Sequence, residues 1–238
     1  DGTDDKTGPA QNMDVQIKPD AQLNNTDFNK IGWYWNQEWV GIRLANPIIS
    51  RLPDATAIKD ADKAIILGKA YFYRAYDYYR LTNQFGDVPC PLKELTTAKT
   101  DFATVKRDVI LLRTKTDLES SVASVPWVTP KGDVNRGAMY HLLAKIDLAL
   151  GLFDEAITAS TAVITNGAFN LMTNRFGVDA AFDSKYVTWY LTCHDNKAAA
   201  ANTETLILTT DRAGMGKHFT NGIHFMRNTV SVISLGVT

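Results

Sequence analysis

The segment DADKAIILGKAYFYRAYDYYRLTNQFGDVPCP, residues 60–91, is the most informative part of the sequence. The residues between its two glycines leave room for about five helical turns at 3.6 residues per turn. Asp60 or Asp62 can cap the first turn, where backbone N–H groups lack partners. Gly86 permits a positive φ, and Pro89 disfavours a helical residue before it. The sequence therefore predicts one long helix, followed by a turn into an extended segment.

The apolar residues of this helix form two stripes rather than one, which is typical of a helix covered on two sides. Gly68 and Ala75 lie on one face, and small side chains there would let a neighbouring helix approach closely. The first stripe contains Ala64, Leu67, Tyr71, Ala75 and Tyr78, and the second contains Phe72, Tyr76 and Tyr79. We therefore expect other elements to pack on both sides of this helix.

The composition is that of an ordinary globular protein. Of the 238 residues, 45% are hydrophobic and 21% are charged, and the net charge is −1. No run of Lys and Arg forms a basic stripe, so we expect no nucleic-acid partner. No window approaches the length of apolar sequence that a transmembrane helix needs. The two cysteines, Cys90 and Cys193, make a disulfide possible without implying one.

Two further helices are predicted on either side of the central segment. Residues 28–52 have apolar side chains at near-heptad spacing, and Pro47 inside this pattern should kink or break the helix. Residues 102–125 have a less regular apolar stripe, and Thr104 is the expected cap of that helix.

Asn135 starts the clearest repeat unit. One helix should run from about Arg136 to Leu150, and a second from Phe153 or Asp154 to Asn166, with a glycine after each helix. The pattern of this unit resembles a tetratricopeptide repeat, in which small residues let paired helices pack closely and an aromatic residue fills the turn. The matching positions are Leu143, Ala144, Leu148, Gly151, Phe153, Ala156 and Ala159. With the pair formed by residues 28–81, the chain has at least two helical pairs, which bury a continuous core when they stack.

The character of the sequence changes after Leu171. Residues 172–238 show no sustained helical period, and Thr205–Thr209 reads as a strand. We therefore predict a mostly α fold with a helical scaffold over residues 1–171 and an irregular, loop-rich, ligand-facing part over residues 172–238. The loop-like opening DGTDDKTGP and the unfinished end suggest a fragment of a longer protein.

The central segment also resembles a known family. LGKAYFYRAYDYYRLTNQFGDVP is similar to the signature of SusD/RagB proteins, the surface nutrient-binding lipoproteins of Bacteroidetes. The matching positions are Leu67, Gly68, Ala70, Phe72, Arg74, Ala75, Phe85, Gly86, Asp87, Val88 and Pro89. The resemblance extends over residues 33–207 and is strongest in residues 64–91 and 135–171.

The resemblance implies a SusD-like fold and a binding protein rather than an enzyme. It implies a lipid-anchored protein on the outer face of the outer membrane, with the anchor outside this chain. Such a protein captures an oligosaccharide and passes it to a SusC-like TonB-dependent transporter. A peptide-capturing RagB-like protein and a tetratricopeptide adaptor for protein partners remain as alternatives.

The sequence offers little sign of catalysis, and no cofactor is expected. Cys193-His194-Asp195 places a thiol, an imidazole and a carboxylate together, but catalytic partners are usually brought together by the fold rather than by adjacency. His218 and His224 are six residues apart, which fits no common zinc spacing, and His141 is expected to be a packing or surface residue. Asp1, Asp4 and Asp5 could gather around Ca²⁺, although their spacing matches no EF-hand loop and a solvated loop is the default.

Aromatic residues in polar segments outside the repeats are the candidate ligand-binding residues. Sugar rings present flat C–H faces that stack on aromatic rings, with polar groups around an apolar platform. Trp33 and Tyr34 lie near the start of the first helix, and Trp189 lies in the irregular part. Trp35 and Trp39 fall on the apolar stripe, so we expect them in the core.

The remaining motif residues are expected to be structural: Gly68, Arg74, Phe85, Gly86, Asp87 and Pro89. Arg74 lies in a helix that otherwise reads as buried, and a buried cation needs a partner. We expect it to pair with Asp87 or with carbonyls of the turn, and so to hold the FGDVP turn against the helix.

Overall fold

The computed structural model describes residues 30–130, 132–171, 202–207 and 233–234. Its helices are α1 (Lys30–Arg51), α2 (Asp60–Phe85), α3 (Arg107–Ser121), α4 (Arg136–Leu150) and α5 (Phe153–Asn166). Short 3₁₀ turns, Leu52–Asp54 and Val122–Ser124, follow α1 and α3. Each helix packs against the next one in sequence, and α2 also contacts α4. The predicted mostly α, repeat-like architecture is confirmed.

Two short antiparallel strand pairs complete the described part of the chain. Strand β1 (Val88–Pro89) pairs with β2 (Thr104–Val105), with Val88 opposite Val105. Strand β3 (Thr205–Ile207) pairs with β4 (Ile233–Ser234). The first pair closes the segment that links α2 to α3, and β3 confirms the strand expected near residue 205.

The long central helix spans the expected residues, but it begins without the expected cap. Lys59 holds the N-cap position, and no side chain caps the helix there. Asp60 and Asp62 lie in the first turn, where their negative charge favours the positive end of the helix dipole. At the other end Gly86 has φ 71°, and its N–H donates to the carbonyl of Thr82 at 3.1 Å.

Two other helix predictions need correction. The α1 helix is continuous through Pro47, so the break considered there is absent. Thr104 is not the cap of α3, because it lies in β2 and the helix begins at Arg107. The N–H of Arg107 donates instead to Oδ1 of Asp87 at 2.9 Å, so a carboxylate from the turn after α2 caps α3.

Two apolar cores lie on opposite sides of α2. The first core joins α2, α3, α4 and α5, and its members include Phe72, Ala75, Leu111, Leu118, Met139, Leu142, Ile146 and Ala159. The second core joins α1, α2, β1 and α3 through Ile42, Tyr78, Leu81, Val88 and Ile110. The second stripe packs on the first core, whereas the first stripe is divided, with Ala75 in the first core and Tyr78 in the second.

Gly68 is a point of close approach between α2 and the segment at the end of α3. A Cβ atom at this position would lie 2.6 Å from Cγ2 of Val125, which follows the 3₁₀ turn after α3. The same Cβ atom would lie 3.3 Å from the carbonyl oxygen of Ser121, the last residue of α3, so the end of the neighbouring helix packs closely on this glycine as expected.

The α4–α5 pair forms with the predicted boundaries. Asn135 caps α4 by accepting from the N–H of Ala138 at 2.9 Å, and Gly151 and Gly167 end the two helices with φ 75° and 81°. The outer face of α5 leaves Phe153, Ile157 and Ile164 exposed. Within the described residues, α5 is thus the last helix of the stack and has an apolar side without a covering helix.

Several expectations concern residues outside those that the structure describes. They are the Ca²⁺ site at Asp1, Asp4 and Asp5, the Cys193-His194-Asp195 triplet and the structure of most of residues 172–238. The division at residue 171 stays a prediction for the same reason. In the described part of the chain, no helix has the length and apolar character needed to cross a membrane.

Candidate functional site

A cavity of about 480 Å³ lies between α1 and the segment that follows β1. Its α1 wall is formed by Trp35, Trp39, Ile42, Arg43, Asn46 and Pro47. The opposite wall is formed by Pro89, Pro91, Lys93, Glu94, Leu95 and Phe102. Ligand pockets in proteins commonly measure about 300–1,000 Å³ and are mostly apolar. The cavity therefore has the size and lining of a site for a small molecule.

The aromatic wall of the cavity is held by edge-to-face contacts. The ring centroids of Trp35 and Trp39 are 5.6 Å apart, with the planes at 63°. Phe85 packs against Trp35 at 5.0 Å, and Tyr78 against Trp39 at 6.2 Å. These contacts confirm that the two tryptophans belong to the edge of the second core. They also line the cavity, which the sequence did not predict.

The neutral polar side chain in the cavity wall is already engaged. Asn46 donates to the carbonyls of Pro91 at 2.8 Å and Lys93 at 3.3 Å, and its own oxygen accepts from Arg74 at 3.1 Å. The carboxylate of Glu94 accepts from Nε of Arg51 at 2.6 Å and also binds the terminal nitrogen Nη2 of that arginine. Both amide hydrogens of Asn46 are therefore used, and each oxygen of Glu94 already accepts one hydrogen bond from Arg51.

Two cations of the cavity wall, by contrast, have no carboxylate partner among the described residues. Arg43 on α1 and Lys93 on the opposite wall are both exposed. The ion pairs of the described chain connect other residues, including Arg51 with Glu94 and Lys99 with Asp101. The mouth of the cavity therefore has two positive charges and a compensated carboxylate.

Arg74 fixes the wall that faces α1. The residue is 1% exposed, so it is buried as expected. It binds the buried carboxylate of Asp117 on α3 and donates to the carbonyl of Leu92 at 2.8 Å. The expected pairing with Asp87 is wrong. Arg74 does bond a carbonyl, but that of Leu92, three residues beyond the FGDVP motif. The hydroxyl of Tyr78 donates to the neighbouring carbonyl of Pro91 at 2.9 Å.

The turn motif after α2 has a different function for each of its residues. Phe85 packs on Trp35, Gly86 supplies the positive φ, and Val88 is buried in the second core. Asp87 caps α3 by accepting from the N–H of Arg107, and it pairs with Lys106 at 3.0 Å. These two contacts hold the pKa of its carboxyl below the usual value. The motif therefore ties α2 to α3 and places the cavity wall that begins at Pro89.

Of the predicted ligand-binding residues, only the side chain of Tyr34 is described. It is half-buried, and the guanidinium carbon of Arg80 lies 5.2 Å from the centroid of its ring. The same guanidinium lies 5.4 Å from the ring of Tyr76. The structure describes the backbone of Trp33 but not its side chain, and Trp189 lies outside the described residues. Tyr34 does not line the cavity.

Beside Tyr34, two carboxyl groups meet between α1 and α2. Glu38 is 2% exposed and pairs with Arg80 at 3.1 Å. Asp77 lies against Gly41, where a Cβ atom would lie 1.9 Å from its Oδ2. Burial raises the pKa of both carboxyls, and the charge of Glu38 and its hydrogen bond raise that of Asp77 further. We infer that Asp77 is the protonated member of the pair and donates to Glu38.

This pair predicts a specific pH dependence of stability. In the unfolded chain the carboxyl of Asp77 titrates near 3.8, whereas the folded chain holds its proton to a higher pH. The stabilisation is therefore complete below 3.8 and is lost as pH rises through the raised folded pKa. The free energy of unfolding of the parent protein should therefore fall as pH rises, and we expect a smaller fall in Asp77→Asn. Urea titration from about pH 4 to pH 8 measures both. The exposed Asp54→Asn is the control, and equal pH profiles for both variants would contradict the assignment.

The cavity residues that sequence reasoning missed belong to the segment after Pro89. Leu95 and Phe102 are exposed apolar side chains in a polar stretch that reads as an irregular connection. An aromatic residue in such a stretch is the one available signal. Nothing local shows that the stretch folds back onto α1, because Asn46 reaches it across 45 residues of sequence.

Comparison with solved structures identifies similar folds at low sequence identity. A SusD superfamily protein from Bacteroides vulgatus matches with a TM-score of 0.64 and 18% identity, over 78% of this chain and 37% of its own. A laminarin-binding SusD-like protein matches with a TM-score of 0.60 and 19% identity, over 73% of this chain and 36% of its own. Surface glycan-binding protein A from Bacteroides uniformis matches with a TM-score of 0.56 and 20% identity, over 61% of this chain and 34% of its own. The chain thus spans about a third of the length of these structures.

The family assignment rests on the sequence itself. A comparison with curated proteins finds no match. The sequence model of a SusD-like family, described as starch-binding and associating with the outer membrane, matches residues 3–148, which is more than half of the chain. The matched region includes α1, α2, α3 and most of α4, the helices that supply most of both cores. The chain therefore belongs to the SusD-like family.

Proposed function

We propose that the full-length protein captures oligosaccharides at the outer face of the outer membrane and delivers them to a SusC-like TonB-dependent transporter. A lipid anchor outside this chain would hold it there, and it would bind its ligand without turning it over. The observation that carries the proposal is the family match over residues 3–148. The helical stack and its likeness to a laminarin-binding structure support the same function.

Trp33, Tyr34 and Trp189 remain the proposed platform for the sugar. Tyr34 is half-buried, and Arg80 covers part of its ring, so a sugar would stack on the remaining surface. Arg80 beside it has more N–H donors than its ion pair with Glu38 uses, and such donors bind sugar hydroxyls. The cavity beside α1 is the weaker candidate for a glycan, because its neutral polar side chain is already engaged.

The test is native affinity electrophoresis or calorimetry of the full-length protein against a panel of polysaccharides and peptides. We expect one glycan to bind and its affinity to fall about tenfold or more in Trp33→Ala or Trp189→Ala, because each change removes a large apolar surface for the C–H face of the sugar, and buried apolar surface is worth about 25 cal/mol per Å². Trp127→Ala, on an aromatic that stacks on Tyr140 away from α1, is the control. Binding of peptides alone would favour the RagB-like alternative, and turnover of a glycan would contradict the proposal.

A further inference from the structure

We propose that the cavity beside α1 is a second binding site, which takes a small aromatic carboxylate. The proposal goes beyond glycan capture and does not depend on it. Three observations support it: the apolar volume of about 480 Å³, the aromatic walls, and the two cations at the mouth. Each observation restricts the chemistry of the ligand.

The walls select a flat apolar body. Trp35 and Trp39 form one side with their planes inclined at 63°, and Phe102 lies on the other side. Leu95 is 52% exposed and Phe102 is 39% exposed, so a ring inserted between the walls would bury apolar surface that is now in contact with water. Aromatic pairs of this kind gain energy beyond the buried area through edge-to-face contacts.

The engaged polar groups exclude a ligand rich in hydroxyls. Buried hydroxyls need hydrogen-bond partners, and leaving them without partners costs free energy. Asn46 already makes three hydrogen bonds, and Glu94 is held by Arg51. A sugar in the cavity would therefore find hydrogen-bond donors mainly in the exposed side chains of Arg43 and Lys93, and hydroxyls away from these two residues would lack partners.

The charge at the mouth selects an anion. Arg43 and Lys93 stand on opposite walls and are exposed, and neither pairs with a carboxylate within the described ranges. A carboxylate on the rim would receive charge-assisted hydrogen bonds from both cations, and such bonds are stronger than neutral ones. A planar ring with one carboxylate is thus complementary to the cavity in shape, polarity and charge.

Calorimetry with three ligands of matched shape tests the proposal on the full-length protein. The probes are 2-naphthoate, its neutral amide and 2-naphthylmethylammonium. We expect naphthoate to bind about fivefold or more tighter than the amide, because each exposed charge pair contributes up to about fivefold in affinity. The ammonium compound should bind more weakly than the amide. Equal affinity for all three, or no binding of naphthoate, would overturn the proposal.

Variants locate the site and separate it from the glycan platform. Phe102→Ala removes a side chain that is partly exposed and belongs to neither core, and it should weaken naphthoate binding about tenfold through lost apolar contact. The double variant Arg43→Gln with Lys93→Gln should lower the affinity for naphthoate to that for the neutral amide. Lys145→Gln, an exposed cation on α4, is the matched control. Naphthoate binding that survives the Phe102→Ala change would exclude this cavity as its site.

The same variants show whether the two proposals fail separately. Glycan affinity should be unchanged in Phe102→Ala, and naphthoate affinity should be unchanged in Trp189→Ala. A concentration-dependent dimer that Phe102→Ala abolishes would show that a second copy of the chain occupies the cavity, which would contradict the proposed ligand. Sedimentation velocity at two protein concentrations makes this measurement.

Discussion

Replacing Arg74 with methionine is expected to lower the free energy of unfolding by about 3–5 kcal/mol, measured by urea denaturation at pH 7. The side chain of Asp117 is 5% exposed, and Arg74 is its buried partner. Methionine would fill much of the space of Arg74 but leave this carboxylate without its main counter-charge. It would also remove the N–H groups that now donate hydrogen bonds to Oδ1 of Asn46 and to the carbonyl of Leu92.

Arg113→Met is the matched control, because Arg113 pairs with the same carboxylate at 3.3 Å from the exposed side of α3. Pairs of this kind contribute about 0.5 kcal/mol or less. The double variant Arg74→Met with Asp117→Leu should recover much of the loss, since no buried charge is then left unpaired. Equal effects of Arg74→Met and Arg113→Met would show that burial does not control the strength of this pair.

Asn135→Ala is the change with the second large expected effect, a loss of about 2–4 kcal/mol in the free energy of unfolding. The side-chain oxygen of Asn135 caps α4, and its amide donates to the carbonyl of Leu206 in β3. Loss of the cap costs about 1 kcal/mol, and an unsatisfied buried carbonyl costs about 1–3 kcal/mol. The amide therefore contributes to both the repeat unit and the strand that follows it.

Asn135→Ser separates the two contributions, because serine keeps a cap but cannot reach as a donor to the strand. Its loss should lie between that of the alanine variant and that of the parent protein. Asn166→Ala removes an exposed asparagine at the end of α5 and should change stability by less than about 0.5 kcal/mol. A serine variant as unstable as the alanine variant would show that the cap contributes nothing.

The helices were predictable where their signals are local. Asn135 lies directly before α4, and Gly151 and Gly167 lie directly after α4 and α5, so both ends of the repeat unit are marked in the sequence itself. The two stripes of α2 likewise follow from its own residues. These features depend on neighbouring positions, which a pattern can show.

Features that depend on distant residues were missed. The cap of α3 comes from Asp87, 20 residues earlier in the chain, so Thr104 was the wrong choice. Arg74 finds Asp117 at a separation of 43 residues, and no local pattern favours this carboxylate over the nearer Asp87. The cavity likewise exists only because residues 89–102 fold against α1.

The packing of each helix on its neighbour in sequence has a consequence for the order of folding. Proteins rich in contacts between nearby residues fold quickly, because little loop entropy is lost before the contacts form. We expect α1, α2 and α3 to associate as soon as they have left the ribosome, with α4 and α5 adding to them. The bond between Asn135 and Leu206 spans 71 residues and must form after them. In pulse-labelling hydrogen exchange, the amides of α2 should therefore become protected before those of β3.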